Sequence, residues 1–277
     1  MSTRFTFILL IFIFSVTMEI PGIKKTVFIH EKAMPLFLKG NDEIVIIFHG
    51  YLGSPDDVAP LARELNSRGY TVSVPRLPGH GTSGDDFITA DGKDWLRKAF
   101  DTCAEFNGRY KKIVIAGFSM GGLLAIIAAS VFSPDALVLI APAVTNKRRI
   151  KIHLSPIMMI FTKKMRRKKK TEAKNDFEAF LKKEYWSYDW PKAAFSILKL
   201  QGEAKKRLSI LKCRTFLLLS KSDTTVPVKA GDIIKKRIKP EILDEDRLQS
   251  SKHMIFKGPE KKKAVILISD WIASALK

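Results

Sequence analysis

The stretch KIVIAGFSMGGLLAIIAA, residues 112–129, joins a short β-branched, apolar run directly to an apolar run of helical character. Between the two runs lies GFSMG, residues 117–121, with a serine at its centre. A serine on a tight strand-to-helix turn needs glycine or another very small residue two positions before it and two positions after it. Such a turn exposes the hydroxyl and directs the amino terminus of the helix towards it. The stretch therefore predicts a nucleophilic Ser119 at the carboxyl end of a buried strand.

Similar apolar runs recur on both sides of this turn. The 277-residue sequence is 46% apolar, which is typical of a folded chain with a sizeable core. Predicted helices separate the runs, and this alternation favours an α/β fold with a mostly parallel central sheet flanked by helices. We predict strands at residues 44–48, 70–74, 112–116, 136–140 and 215–219, and helices at residues 58–68, 95–106, 123–129 and 261–276.

Residues 145–212 interrupt the alternation. They contain helical patches, two prolines, the aromatic stretch YWSYDW and many lysines. We interpret them as a basic helical cap inserted over the sheet. The predicted organisation is a hydrophobic segment and linker at residues 1–30, a core formed by residues 31–144 and 213–277, and the cap at residues 145–212.

A serine nucleophile needs a general base, and the sequence has five histidines. His49 and His80 lie in glycine-flanked loops, where loop packing is the expected role. His30 and His153 lie outside the sheet pattern. His253 remains, on a loop just before the last predicted helix, and we predict that it is the base.

The acid that orients the imidazole should lie between the nucleophile and the base in the sequence. Asp223 follows the predicted strand at residues 215–219 and therefore belongs to a loop at the sheet edge. Asp244 and Asp246 are weaker alternatives, because they lie in a charged run that we expect to be a solvated turn. Asp223 is the predicted acid.

The loop HGYLGS, residues 49–54, follows another predicted strand and brings backbone N–H groups to the same sheet edge. Acyl transfer needs two donors that stabilise the oxyanion of the tetrahedral intermediate. The backbone N–H groups of Tyr51 and Met120 are the candidates, and Leu52 is the alternative to Tyr51.

These motifs resemble the α/β-hydrolase superfamily, and within it the bacterial carboxylesterase and monoacylglycerol lipase group of S33-like serine hydrolases. The resemblance covers about residues 35–275. It implies a nucleophile, acid and base at Ser119, Asp223 and His253. The family usually has glycine where this chain has Ser220 and often where it has Lys252. The resemblance depends on FHGYLGSPDDV (48–58), PRLPGHGTSGDD (75–86), GFSMGG (117–122), YDWPKAAFSILKL (188–200), LLLSKSDTTVP (217–227) and SSKHMIFKGPE (250–260).

The resulting hypothesis is a serine carboxylic ester hydrolase that forms an acyl-enzyme on Ser119 and needs no metal or cofactor. The resemblance implies small ester or monoacylglycerol substrates. Thioester hydrolysis, amide hydrolysis and acyl transfer use the same three residues and stay open as alternatives. An inactive basic protein that binds membrane or nucleic acid is less favoured. We expect no nucleic-acid partner, because the sequence lacks a recognition-helix or RNP-type motif. The sequence does not determine an oligomeric state.

The positive charge is concentrated in the predicted cap. The chain has 48 Lys and Arg against 28 Asp and Glu, a net charge of +20. Residues 145–212 contain twenty basic and six acidic residues, so they account for +14. We hypothesise that the cap docks on an anionic membrane surface. A solvated, lysine-rich surface is the alternative, and the apolar residues among 152–161 are candidates for lipid contact, an acyl pocket or simple helix packing.

The amino-terminal run FTFILLIFIFSV, residues 5–16, is too short for an ordinary bilayer span and lacks a good cleavage site. An uncleaved membrane anchor, a true start at Met18 with a cytoplasmic protein, and a cleaved signal peptide are the three interpretations. Cys103 and Cys213 show no disulfide or zinc-binding spacing, so we expect two reduced thiols.

Overall fold

The computed structural model describes residues 16–18, 27–147, 154–167, 173 and 175–277. The strands in this part of the chain are β1 Val16–Met18, β2 Val27–Ile29, β3 Leu36–Leu38, β4 Glu43–Phe48, β5 Thr71–Val74, β6 Lys112–Phe118, β7 Ala136–Ile140, β8 Met165–Arg166, β9 Tyr188–Asp189, β10 Arg214–Ser220 and β11 Leu243–Leu248. The α-helices are α1 Ala59–Ser67, α2 Gly84–Thr89, α3 Gly92–Phe106, α4 Met120–Phe132, α5 Ser155–Phe161, α6 Asp176–Leu181, α7 Pro191–Arg207, α8 Lys229–Lys235 and α9 Lys261–Ala275.

Seven strands form the central sheet in the order β11-β10-β7-β6-β4-β5-β3. All neighbours are parallel except β3, which runs antiparallel to β5. The register pairs Phe48 of β4 with Gly117 of β6, and Phe118 of β6 with Ile140 of β7. The strands on both sides of Ser119 therefore end at the same edge as β6. This topology confirms the predicted mostly parallel sheet with flanking helices.

Helices cover both faces of the sheet, and the side chains of β4 pack against helices on each face. Ile44, Ile46 and Phe48 pack into one core with helices α3, α4 and α7. Val45 and Ile47 point to the other face, into a core with helices α1 and α9. Because successive side chains of a strand alternate between faces, an unbroken apolar run fits a strand buried on both sides. Burial of each such side chain stabilises the fold by about 1.5–3 kcal/mol.

The charged run at residues 243–248 is a strand and not the solvated turn that the sequence predicted. These residues form β11, which pairs with β10 in parallel and places Asp244 beside Phe216 and Asp246 beside Leu218. The run was expected to be a solvated turn. As the edge strand of the sheet, β11 keeps much of its surface in solvent, and Glu245 forms ion pairs with Lys235 and Arg247. Charged side chains at a sheet edge also oppose pairing with another chain.

The described residues of the segment 145–212 contribute no strand to the central sheet. Strands β8 and β9 form a separate antiparallel pair, with Met165 opposite Asp189. Helix α7 packs on α4, and α5 packs on α7. The segment is therefore attached to the sheet through the helix that follows Ser119.

In the part of the chain that the structure describes, no helix has both the length and the apolar character needed to cross a membrane. Residues 5–15 of the amino-terminal hydrophobic run lie outside that part. Residues 168–170 of the basic run also lie outside it.

Candidate active site

Ser119 occupies the sharp turn between β6 and α4. Its backbone has φ of +56° and ψ of −114°, a positive-φ conformation that is unfavourable for a residue with a side chain. Backbone hydrogen bonds hold the turn in place. The Ser119 N–H donates to the carbonyl of Ile140 (2.9 Å), and the Ser119 carbonyl accepts from Gly122 (3.1 Å) and Ala143 (3.0 Å).

The flanking glycines are required by close backbone approaches. A Cβ atom at Gly117 would lie 2.2 Å from the carbonyl oxygen of Gly121. A Cβ atom at Gly121 would lie 2.1 Å from the carbonyl oxygen of Phe48, on the neighbouring strand. Both distances are far below van der Waals contact, so any side chain at either position would open the turn.

The structure brings Ser119, His253 and Asp223 together at the carboxyl edge of the sheet. The Nε2 atom of His253 lies 2.9 Å from Oγ of Ser119. Its Nδ1 atom lies 2.7 Å from Oδ2 of Asp223. A carboxylate only accepts hydrogen bonds, so Nδ1 carries the proton and Nε2 is free to accept from the serine hydroxyl. This is the geometry that a general base and its orienting acid require.

Asp223 is buried, and its second carboxylate oxygen is fully engaged. Oδ1 accepts hydrogen bonds from the backbone N–H groups of Thr225 (2.7 Å) and Val226 (2.9 Å). These contacts fix the plane of the carboxylate and leave Oδ2 directed at His253. The imidazole is held from its face as well, because its ring centroid lies 5.1 Å from that of Phe118.

The alternative acids do not reach the imidazole. Asp244 accepts a hydrogen bond from Nε1 of Trp271 (2.7 Å), on the outer helix α9. Asp246 accepts from the N–H of its neighbour Arg247 (2.6 Å). Both belong to the edge strand β11, and the carboxylate at Nδ1 of His253 is that of Asp223.

The loop at residues 49–54 lies against the nucleophile. A Cβ atom at Gly50 would lie 3.3 Å from Cβ of Ser119. Within the described chain, the N–H groups of Tyr51 and Met120 donate to no backbone carbonyl. The N–H groups of Tyr51 and Met120 therefore stay the candidates for the two oxyanion donors. Leu52, the alternative donor, has φ of +57°, and its carbonyl accepts a hydrogen bond from Nε1 of Trp186 (2.8 Å).

His49 stabilises this loop. Burial lowers the pKa of His49 to about 4, although its hydrogen bond to Gly50 acts in the opposite direction. The neutral ring donates from Nδ1 to the carbonyl of Gly50 (3.0 Å) and accepts at Nε2 from the N–H of Leu77 (3.1 Å). The packing role expected for this histidine matches these contacts.

Glu260 holds the loop that leads to His253, and the sequence analysis did not predict this role. Its carboxylate accepts from three successive N–H groups, those of Gln249 (3.1 Å), Ser250 (2.8 Å) and Ser251 (2.9 Å). Partial burial raises its pKa, but these hydrogen bonds outweigh that effect and lower the pKa to about 2. The bound loop leads directly into His253. The available signal was an acidic residue immediately before a predicted helix, a position where the helix dipole favours negative charge.

The two departures from the family pattern leave the site intact. The Ser220 hydroxyl donates to the carbonyl of Ser251, which links the strand before Asp223 to the loop before His253. Lys252 has its side chain in solvent. A serine in place of glycine therefore adds a connection between the acid and base loops.

No group of three or more metal-ligating side chains occurs among the residues that the structure describes. Cys103 and Cys213 are free thiols. Burial raises the pKa of the Cys103 thiol to about 12, so it is protonated at neutral pH. His153 lies outside the described residues, and His30 accepts from the N–H of Lys32 (3.2 Å).

Comparison with known proteins gives consistent matches. A family model described as serine aminopeptidase, S33, matches residues 39–260. A thermostable monoacylglycerol lipase from Bacillus sp. (strain H-257) is 26% identical over 234 residues, which cover 80% of this chain and 87% of the relative. A carboxylesterase from Bacillus subtilis (strain 168) is 33% identical over 93 residues, which cover 33% of this chain and 38% of the relative.

A solved structure also resembles this chain. It belongs to a study of LipS and LipT, two metagenome-derived lipolytic enzymes, and it superposes with a TM-score of 0.79. The superposition covers 89% of this chain and 99% of that chain at 22% identity. At that level of identity, the likeness concerns the fold.

Proposed function

Since this chain belongs to the serine aminopeptidase S33 family of α/β hydrolases, we propose that it is a serine hydrolase that cleaves carboxylic esters through an acyl-enzyme on Ser119. The family membership and the structural likeness confirm the predicted fold class. The observation that carries the proposal is the continuous chain of hydrogen bonds from Ser119 through His253 to Asp223, at 2.9 Å and 2.7 Å.

The first half of the proposed reaction is acylation. Oγ of Ser119 forms a bond to the ester carbonyl carbon while its proton passes to Nε2 of His253. The N–H groups of Tyr51 and Met120 stabilise the resulting oxyanion, and loss of one such donor typically costs about 3–4 kcal/mol in the transition state. The bond from carbon to the alcohol oxygen then breaks, and His253 gives its proton to the leaving alcohol.

The second half is deacylation. A water molecule attacks the acyl carbonyl carbon, and its proton passes to Nε2 of His253. The bond to Oγ of Ser119 breaks, the proton returns to that oxygen, and the carboxylic acid leaves. Asp223 stays ionised throughout and stabilises the imidazolium in both halves.

The proposed substrates are short- to medium-chain esters or monoacylglycerols. Two relatives are named carboxylesterase and monoacylglycerol lipase, which favours this class over thioesters and peptides. Initial rates on a series of p-nitrophenyl esters, monoacylglycerols, acyl thioesters and aminoacyl anilides test the assignment. We expect turnover of esters by the wild type and none by Ser119→Ala. Turnover of thioesters or anilides alone would contradict it.

We propose further that the cap docks on an anionic lipid surface through α5. The apolar side chains Ile157, Ile160 and Phe161 are 58%, 76% and 82% exposed, so they are not used for packing within the described chain. Exposed Lys163 and Arg166 follow directly. Apolar side chains flanked by basic ones fit the boundary between acyl chains and anionic headgroups. Co-sedimentation with vesicles of defined charge tests this surface.

A further inference from the structure

Lys257 connects two loops of the proposed active site. It ends the short 3-10 helix Ile255–Lys257, four residues after His253. Its Nζ atom lies 2.8 Å from Oδ1 of Asp57 and 3.5 Å from Oδ2 of Asp56. The two aspartates belong to the segment that follows the loop at residues 49–54. The ion pair thus joins the loop of the base to the loop of an oxyanion donor across 200 residues of sequence.

Asp57 transmits this contact to the oxyanion loop. Its side chain is almost fully buried, and Oδ2 accepts a hydrogen bond from the N–H of Ser54 (3.2 Å). A Cβ atom at Gly53 would lie 2.3 Å from the same oxygen, so the carboxylate packs directly on the loop backbone. Tyr51 is two residues from Gly53. A shift of the Asp57 carboxylate therefore displaces the segment that presents the Tyr51 N–H.

The other end of the ion pair acts on the base. The N–H of Ile255 donates to the carbonyl of His253 (2.9 Å), so the Ile255–Lys257 turn continues directly from the base. Phe256 lies in the same turn, and its ring centroid is 6.3 Å from that of Phe118. The Phe118 ring in turn contacts the imidazole. Movement of the turn therefore changes the support of His253 from two directions.

The charge of the pair matters because the Asp57 carboxylate is buried, whereas the Lys257 side chain is partly exposed. Burial raises the pKa of Asp57, and Lys257 opposes that rise. Burial lowers the pKa of Lys257, but Asp57 outweighs it and the pKa is raised overall. The charged groups that face Asp57 are Lys257 and the neighbouring Asp56. Removal of the lysine leaves a buried carboxylate with no cation, which is strongly unfavourable.

We infer that Lys257 is a positioning residue that holds the Tyr51 donor and the His253 base at a fixed separation through its ion pair with Asp57. The inference rests on the proposed function, because it assigns roles to both loops. It predicts that loss of the ion pair slows chemistry at Ser119 and leaves substrate binding largely intact.

The test is the rate constant for labelling of Ser119 by a fluorophosphonate probe, measured on the full chain. Lys257→Met should lower this rate by about tenfold, because small misplacement of catalytic groups is costly. Lys257→Arg, which retains the cation, should restore most of the rate. Lys112→Met is the matched control, since Lys112 forms a 3.1 Å ion pair with Asp135 at the opposite end of the sheet. It should label at the wild-type rate.

The pH dependence of the labelling rate distinguishes a positioning role of Lys257 from a general loss of stability. Without Lys257 the pKa of Asp57 rises further, so the acidic limb of the labelling rate should move to higher pH in Lys257→Met. For ester hydrolysis, kcat should fall while KM stays within about twofold. Wild-type labelling and an unshifted profile in Lys257→Met would overturn the inference, and so would a loss confined to KM. A wild type that does not label would instead overturn the proposed function.

Discussion

Ser119 holds a backbone conformation that costs a non-glycine residue about 1–3 kcal/mol. The surrounding backbone maintains it, because Gly117, Gly121 and Gly122 allow approaches that a side chain would block. The strained conformation contributes to the proposed mechanism. It presents Oγ to His253 and leaves the N–H of Met120 free for the oxyanion.

Asp223 orients the imidazole of His253 in the proposed mechanism. Asp223→Asn should lower kcat by about ten-thousandfold, because the amide favours the wrong imidazole tautomer. The fold should persist, since the amide oxygen can still accept from Thr225 and Val226. The measurement is ester turnover together with the thermal unfolding midpoint.

Asp246→Asn is the matched control for that experiment. It changes the same kind of side chain on the edge strand β11, where Asp246 contacts Arg247. Turnover should stay within about twofold of the wild type, as for most surface changes. Equal losses in the two variants would contradict the assignment of the acid.

The sequence alone predicts some residues of the candidate site and does not predict others. Ser119, His253 and Asp223 each follow a recognisable strand or precede a recognisable helix, so their order and spacing were enough to predict them together. Glu260 and Lys257 act through loop conformations that no periodicity encodes. Their partners lie about ten and 200 residues away in the chain, and only the folded structure shows these contacts.

The strands that are buried on both faces of the sheet could be predicted from the sequence, and the two edge strands could not. Residues 44–48 and 136–140 form unbroken apolar runs, because helices cover both faces of the central strands. Strand β11 has the sequence LDEDRL. It lies at the edge of the sheet, where charged side chains can stay in contact with solvent. Strand β3 has only three residues. Such short or charged edge strands carry little signal, because few of their side chains are buried.

The Glu260 carboxylate accepts three backbone N–H groups of the loop between β11 and α9, and its contribution to stability should therefore depend on pH. The pKa of Glu260 is lowered from 4.5 to about 2 in the folded protein. A lowered pKa means that the contribution of Glu260 is fully present above pH 4.5 and is lost as the pH falls towards 2.

We therefore expect Glu260→Gln to be less stable than the wild type at neutral pH, with a difference that shrinks as the pH falls from 4.5 to about 2. Urea unfolding at a series of pH values measures this difference. Glu203→Gln is the control, because it removes a partly exposed ion pair with Arg207 on α7 and should cost about 1 kcal/mol or less. A pH-independent difference for Glu260→Gln would contradict this account of the loop.

The positive charge of the protein is divided unevenly along the chain. Residues 145–212 account for +14 of the net charge of +20, which leaves +6 for the other 209 residues. The exposed apolar side chains of α5 belong to the same segment. The cap packs on α4, the helix that begins at the nucleophile, through α7. The proposed lipid-docking helix α5 is therefore connected through α7 to the helix that begins at Ser119.

Docking through α5 should depend both on the charge of the lipid and on the exposed apolar side chains of the helix. Protein that lacks residues 1–20, and so lacks the amino-terminal hydrophobic run, should co-sediment with phosphatidylglycerol vesicles and weakly or not at all with phosphatidylcholine vesicles. Replacement of Ile157, Ile160 and Phe161 by serine should abolish the binding, as should replacement of Lys163, Lys164 and Arg166 by glutamine. Ile266→Ser removes an exposed apolar side chain from α9 and should have no effect. Binding that is indifferent to lipid charge or to the α5 variant would exclude the proposed surface.

In the proposed mechanism, Ser119 is a nucleophile that His253 activates. The most direct measurement is intact-mass analysis after treatment with a fluorophosphonate, followed by peptide mapping. We predict one covalent adduct on the wild type, located at Ser119, and none on Ser119→Ala. A wild-type protein that does not react, or a Ser119→Ala variant that reacts as fully as the wild type, would contradict the claim.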